Sequence, residues 1–478
     1  MASSKRLTSG SAIALATVLF STTAAWAQVQ VQSLAAPDLF SAPAAETGLS
    51  ADLWKDASPG VAQEALPKLA AKPLSPAAAG LARRVLATGA NAPAGIGDDP
   101  ELGATRALAL IALGEAKGVD AMLDRAPGVA SSAPLSMAAA EAALITGADD
   151  KACKIGEALS ADRGGPYWLR LRAFCQAIGD QHDAAQLTLS LAVQQTKDAD
   201  YARLMNALLS GSPAGAANLR NGVNYALSRK LGLDLSSAAA IASAAPALKP
   251  PPKPVEVPAD LTAAQTSTLA ALRAARGLPA FTDAAQVALP AITALAKADA
   301  PLEDPVLLAR AALAAGDLAT AQAIRGKLTG DTVPGATTQD LALLDATLAA
   351  AEGKKDGQVL DGLIERGVQG GAKSPAQPAA LILAAFGAPM DAEARARFAT
   401  FDGKSAAAVG RLTVLDDAAA AGRQGEAALL ALSIAADAGP AGLGPVDRAR
   451  LVRALLKAGL EADARAFAVE GLLALQVK

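Results

Sequence analysis

The chain has 478 residues, of which 52% are hydrophobic but only 3% aromatic, and its formal net charge is -3. That length holds two or three domains, and an apolar content made chiefly of alanine with leucine and valine predicts an all-helical fold. There is no basic field, and no stretch sets Lys or Arg among aromatic residues as a platform for stacking on bases, so nucleic acid is not an expected partner.

In chain order, the first predicted element is a secretory signal peptide over 1–27. Lys5 and Arg6 precede an apolar run from Ala12 to Phe20, and Ala25, Trp26 and Ala27 form an A-x-A cleavage site. The run is too short to span a bilayer, and Gln28 is not a cysteine that could be lipidated. The expectation is a mature periplasmic protein that starts at Gln28 and carries no membrane span. Residues 28–50, with scattered Ser, Ala and Pro, read as a mobile leader.

Two arrays follow, over 51–245 and 261–478. In each, apolar runs with 3.6-residue spacing stop at a glycine, and a few polar residues lead into a second such run. The stops fall at Gly114, Gly147, Gly179 and Gly211, spaced by 33, 32 and 32 residues. They recur at Gly316, Gly353, Gly387, Gly422 and Gly459, spaced by 37, 34, 35 and 37. Between the arrays, 246–260 holds Pro246, Pro250, Pro251, Pro252, Pro254 and Pro258, a density that no helix survives. It reads equally as an extended linker or as a loop lying on one continuous superhelix.

A helix-turn-helix unit of this period resembles the tetratricopeptide repeat. Trp168, Leu171, Gly179 and Ala184 stand at that family's offsets, with Cys175 where a tyrosine is usual. The small residue five after the glycine recurs as Ala152, Ala184, Ala216, Ala321, Ala392, Ala427 and Ala464, while Val119 and Gln358 depart from it. Most units lack the Trp and the later Phe and Pro, so the pattern is degenerate. The resemblance implies an α-solenoid of antiparallel helix pairs, a superhelix in two arrays separated by the Pro-rich segment. It also implies a concave face, lined by the first helices of successive units, on which partners bind.

Chemistry is sparse. Cys153 and Cys175 lie almost symmetrically about Gly164 and Gly165, where two antiparallel helices would bring them face to face, and export predicts a disulfide between them. The lone histidine, His182, has no clustered ligands and reads as a solvated first-turn residue. Gly403, Lys404 and Ser405 mimic the end of a phosphate loop, but Phe398 stands where its first glycine should be. Asp98 with Asp99, Asp149 with Asp150, and Asp416 with Asp417 read as carboxylates at helix starts. Tyr167, Trp168 and Phe174 form the one aromatic cluster; core filling is the first reading, and Tyr167 and Trp168 are the candidate binding anchors. No catalytic, cofactor-binding or metal-ligating set is assembled.

These readings predict a non-enzymatic periplasmic scaffold or adaptor for unidentified protein partners of the cell envelope, such as a flagellar motor, a secretion apparatus or cell-wall machinery. The alternatives are a cell-wall-acting enzyme or its accessory with a muramidase-like solenoid, and a carrier of lipid or another small molecule.

Overall fold

The computed structural model describes residues 38–250, 253–254, 256–328 and 333–477. The signal peptide expected over 1–27 and the first part of the leader lie outside the described residues.

Twenty-three α-helices are formed among the described residues. The first are α1 (Pro59–Ala71), α2 (Pro76–Ala87), α3 (Pro100–Ala112), α4 (Ala116–Leu123), α5 (Ala133–Thr146) and α6 (Asp149–Ala158). Next come α7 (Pro166–Ile178), α8 (His182–Gln195), α9 (Ala199–Ser210), α10 (Gly222–Lys230), α11 (Ala238–Ser243) and α12 (Leu261–Ala274). They continue as α13 (Gly277–Lys297), α14 (Pro305–Ala314), α15 (Leu318–Gly326), α16 (Thr338–Glu352), α17 (Gly357–Gly370) and α18 (Ala376–Ala385). The last are α19 (Ala392–Phe398), α20 (Val409–Ala420), α21 (Gln424–Ala438), α22 (Pro445–Lys457) and α23 (Glu461–Ala474). No β-strand occurs among the described residues; Val333 and Ala336 make one isolated bridge. The chain is all-α, and consecutive helices pack repeatedly in pairs, as in a helical-repeat arrangement.

The glycine beat marks real helix ends. Eight of the nine stops have positive φ, the left-handed conformation in which a helix closes and which costs a residue without Cβ least. Gly179 is the exception: its φ is -97°, and Asp180 beside it takes the left-handed turn at 59°. Of the alanines five residues on, Ala152, Ala321, Ala427 and Ala464 are fully buried where helices cross. Ala216 and Ala392 are exposed, so their match to the pattern has no packing role.

Parts of the two predicted arrays share a core. One core cluster takes in Leu39 to Ala142 together with Leu343 to Leu472. Helix α1 packs on α21 as well as α3, and α2 packs on α21 and α23, while α3 leads on to α5. Helices α1 to α3 therefore continue the stack that α21 and α23 leave off. Charges seal this junction: Lys68 of α1 reaches Glu64 at 3.0 Å and Asp437 of α21 at 3.4 Å, and Lys72 reaches Asp437 at 2.7 Å. Arg411 of α20 meets both acids, at 3.1 Å to Glu64 and 2.6 Å to Asp437, and Arg84 of α2 meets Asp463 of α23 at 2.8 Å. Closer in, the Gly425 N–H donates to the Leu53 carbonyl at 3.0 Å, and a Cβ at Gly425 would strike that backbone and the Trp54 ring.

The described part of the leader, 38–50, bonds to the segments beside it, with the N–H groups of Leu39 and Ala44 donating to the carbonyls of Gly97 and Ala87. Phe40 is buried, and Arg106 of α3 donates to the carbonyls of Leu39, Ala42, Leu86 and Thr88 at 2.8–3.2 Å. Its guanidinium also stands 5.5 Å from the centre of the Phe40 ring. Complete burial draws the Arg106 pKa down to about 10, which leaves it charged at neutral pH. The Pro-rich segment begins against α3, where Ala247 packs on the shared core, and Lys249 reaches Asp283 of α13 at 3.1 Å. Helix α13 is long and apolar enough to cross a membrane by length and composition; it contains Pro290 and buries Phe281, Ala285, Ile292 and Leu295 against neighbouring helices.

The deepest ionic contact joins α2, α22 and α23. Arg448 is 1% exposed and donates to Glu470 at 2.7 Å, and the other oxygen of Glu470 accepts the Ala77 N–H at 2.6 Å. Replacing Glu470 by alanine strands a buried guanidinium and an open helix N–H, and is expected to cost about 3–5 kcal/mol in urea unfolding. A loss below about 1 kcal/mol would show that the contact does not hold the junction.

Candidate functional site

The residues singled out by sequence converge on α6, α7 and α8. Pro166 starts α7 at its first turn, and the -65° φ of Gly165 leads into it. Cys153 on α6 and Cys175 on α7 form a disulfide, with Cα atoms 5.6 Å apart. Beside it lies a cavity of about 320 Å³ whose lining includes Trp168, Leu171, Arg172 and Gln176.

Trp168 is only 6% exposed and belongs to the local core with Leu171, Phe174 and Tyr201. Tyr167 packs edge-on against it, ring centres 5.0 Å apart, and is half-buried. Trp168 packs beside Gly156 of α6, and Tyr167 lies by Glu141 of α5.

The Tyr167 hydroxyl lies beside Glu141 of α5, a residue that sequence reasoning missed. Glu141 accepts the Gly222 N–H at 2.7 Å, at the start of α10. Burial pushes its carboxyl above the usual range, against the opposing pull of Gly222, Tyr167 and Arg170. Burial, and then the Glu141 charge, push the Tyr167 phenol well above its ordinary value. Arg170 of α7 pairs with Asp198 at 3.3 Å, and its carbonyl accepts the Tyr201 hydroxyl at 3.1 Å. The cluster ties α5, α7, α9 and α10 together and presents no nucleophile. An i, i+3 or i, i+4 pattern cannot reveal it, because its members come from four helices.

The outer face of α8 differs. Ala185, Thr188, Leu189 and Ala192 are buried on one side, whereas Leu187 and Leu191, one turn apart, are 68% and 46% exposed. His182 is exposed at the start of this helix, 4.0 Å from Asp180. The first helices of successive units, such as α3, α5, α14, α16 and α18, pack on one another and are largely buried. The exposed Leu187 and Leu191 lie on α8, a second helix, whereas the exposed Val409 and Val414 lie on α20, the first helix of the unit that stops at Gly422.

The remaining candidates are structural. Asp99 caps α3 by accepting from the N–H groups of Glu101 and Leu102. Asp149 opens α6 and pairs with Arg229 at 2.5 Å. The helix-start reading of Asp416 and Asp417 is corrected: both lie in the second half of α20, and Asp416 pairs with Arg450. Beside Gly403, Lys404 and Ser405, the N–H groups of Ala406 and Ala407 donate to the buried Asp447 at 2.8 and 3.1 Å. Amides that would hold a phosphate are thus taken by a carboxylate. Among the described residues, no group of three or more His, Cys, Asp or Glu is placed to hold a metal ion.

Comparison of the chain with models of protein families, with curated proteins and with solved structures gives no match.

Two outcomes are expected. The variant Cys153→Ser, Cys175→Ser opens a loop whose ends are 22 residues apart. It should lose about 3 kcal/mol under oxidising conditions, read by thermal melting against the wild type with and without reductant. The raised pKa of Glu141 means that the folded protein holds its proton more tightly than the unfolded chain. Its contribution is therefore fully present below the ordinary value of 4.5 and is lost as pH rises through the higher folded value. Glu141→Gln keeps an acceptor for Gly222 and removes that slope. Denaturation across pH should find it close to the wild type in acid and more stable at neutral pH.

Proposed function

We propose that the protein is a non-enzymatic helical-repeat scaffold or adaptor, exported to the periplasm, that binds a protein partner of the cell envelope. In this reading the pairs are degenerate tetratricopeptide-like units, and the signal peptide over 1–27 directs export. The observation that carries it is the pair Leu187 and Leu191, held outward on a helix whose inner face is fixed against the disulfide-clamped α7. Apolar side chains at i and i+4 on a rigid helix offer an anchor to a partner's groove or helix at little ordering cost. The sparse chemistry of the buried clusters, whose charged members are engaged in holding helices together, supports binding over catalysis. The disulfide fits an oxidising compartment such as the periplasm.

The partner surface is expected to fail when charge is placed on it. Leu187→Glu, Leu191→Glu should leave helicity and melting unchanged, because both side chains face solvent. Crosslinking in the native envelope should then lose the partners captured by the wild type. Identical capture by both proteins, or none by the wild type, would sink the proposal.

A further inference from the structure

A second cavity, of about 430 Å³, lies between α2, α13, α16, α23 and the turn from α14 to α15. Its volume falls in the range of sites that take small molecules. Leu278, Leu313 and Leu473 form its buried lining; Thr282 and Val469 are half-buried, and Gln286 is exposed. The two charged residues in its wall, Arg465 and Glu470, are in opposite situations. Glu470 is already engaged by Arg448 and by the Ala77 N–H. Arg465 has no hydrogen bond or ion pair among the described residues, and is half-buried one turn before Val469. Its side chain passes close over Gly353, the left-handed cap of α16. A Cβ there would stand 3.3 Å from Arg465 Cδ and 3.5 Å from Nη1, so glycine at 353 leaves room for the guanidinium at this wall.

An apolar trough with one uncommitted cation is complementary to a molecule with one hydrocarbon chain and one anionic group. We infer that this cavity binds a single-chain amphiphile, with its chain along Leu278, Leu313 and Leu473 and its carboxylate or phosphate on Arg465. The apolar wall removes the chain from water, while a charge-assisted hydrogen bond to Arg465 selects the acid over a neutral molecule of the same length. The site is remote in sequence from Leu187 and Leu191, and either can fail without the other.

The test is isothermal titration calorimetry of the full chain with dodecanoate, dodecyl phosphate and dodecanol below their micellar concentrations. One saturable site is expected, with the acids bound about tenfold or more tighter than the alcohol. Tighter binding of dodecyl phosphate than of dodecanoate would assign a phosphate head, and the reverse order a carboxylate; both support the site. Arg465→Gln should abolish the preference for acid over alcohol. Ala466→Trp, at an exposed position in the wall, should abolish binding of all three with unchanged circular dichroism. Where tryptophan disturbs the helix, Arg465→Gln alone decides. No saturable heat, equal binding of acid and alcohol by the wild type, or an acid preference that survives Arg465→Gln would overturn the inference.

Discussion

The structure depends on a buried ion pair between α22 and α23 whose carboxylate also fastens α2 to them. Arg448 and Glu470 are both nearly sealed from water, and Glu470 spends its second oxygen on the first turn of α2. Two charges removed from water are tolerable only if nearly every donor and acceptor is engaged. The remaining guanidinium donors find the carbonyls of Leu443 and Phe467. The slot is cut by glycine, since a Cβ on Gly442 or Gly471 would overlap the Arg448 side chain. Geometry this demanding fixes one position for α2 on α23, and α1 and α3 follow from it. The ion pairs around Asp437 lie nearer water; there they add register more than energy.

Buried arginines matter here because the core is made so largely of alanine. Alanine lets helices approach closely and supports dense packing, but it buries little area per residue and has almost no shape with which to tell one neighbour from another. A stack of alanine-lined helices could slide or exchange partners at small cost. Arg106 and Arg448 remove that freedom: Arg106 demands carbonyls from 39–42 and 86–88 at once, and Arg448 demands those of Leu443 and Phe467 together with Glu470, which also holds the Ala77 N–H. Misplacing either segment leaves a charge buried without partners, a penalty that an apolar mismatch could not impose. Conformational specificity and close packing are thus supplied by different residues.

Local features were legible in the sequence, and long-range ones were not. The glycine stops predict helix ends because a left-handed cap is a single-residue requirement, and the cysteine pair predicts a disulfide because its symmetry about a turn is local geometry. Gly179 misled only by one residue, since aspartate also tolerates the left-handed turn. The contacts of the leader are hidden for a different reason. Its Ser, Ala and Pro composition resembles that of a mobile segment, and its order comes from Arg106, which lies far along the chain on an ordinary amphipathic helix. Arg448, Glu470 and Glu141 likewise occur among charged or small residues, and nothing in their spacing separates them from solvated charges. The sequence leaves open whether the two arrays share a core, because the contacts that join them depend on Arg448 and Glu470.

The cavity beside Arg465 belongs to this union. Its wall takes residues from α2, from α13 to α16 and from α23, so no single stretch of sequence contains it, and it exists only when these parts are docked. Glu470 takes part in both structures: one face of it closes the junction through Ala77 and Arg448, and the same residue borders the cavity. Any molecule that binds there binds the docked arrangement and not the separated one. By linkage it must stabilise docking by as much as docking improves its binding. The junction is therefore the place in this fold where a small molecule can act on the arrangement of the whole stack, whereas one bound on the outer face of α8 would leave that arrangement untouched.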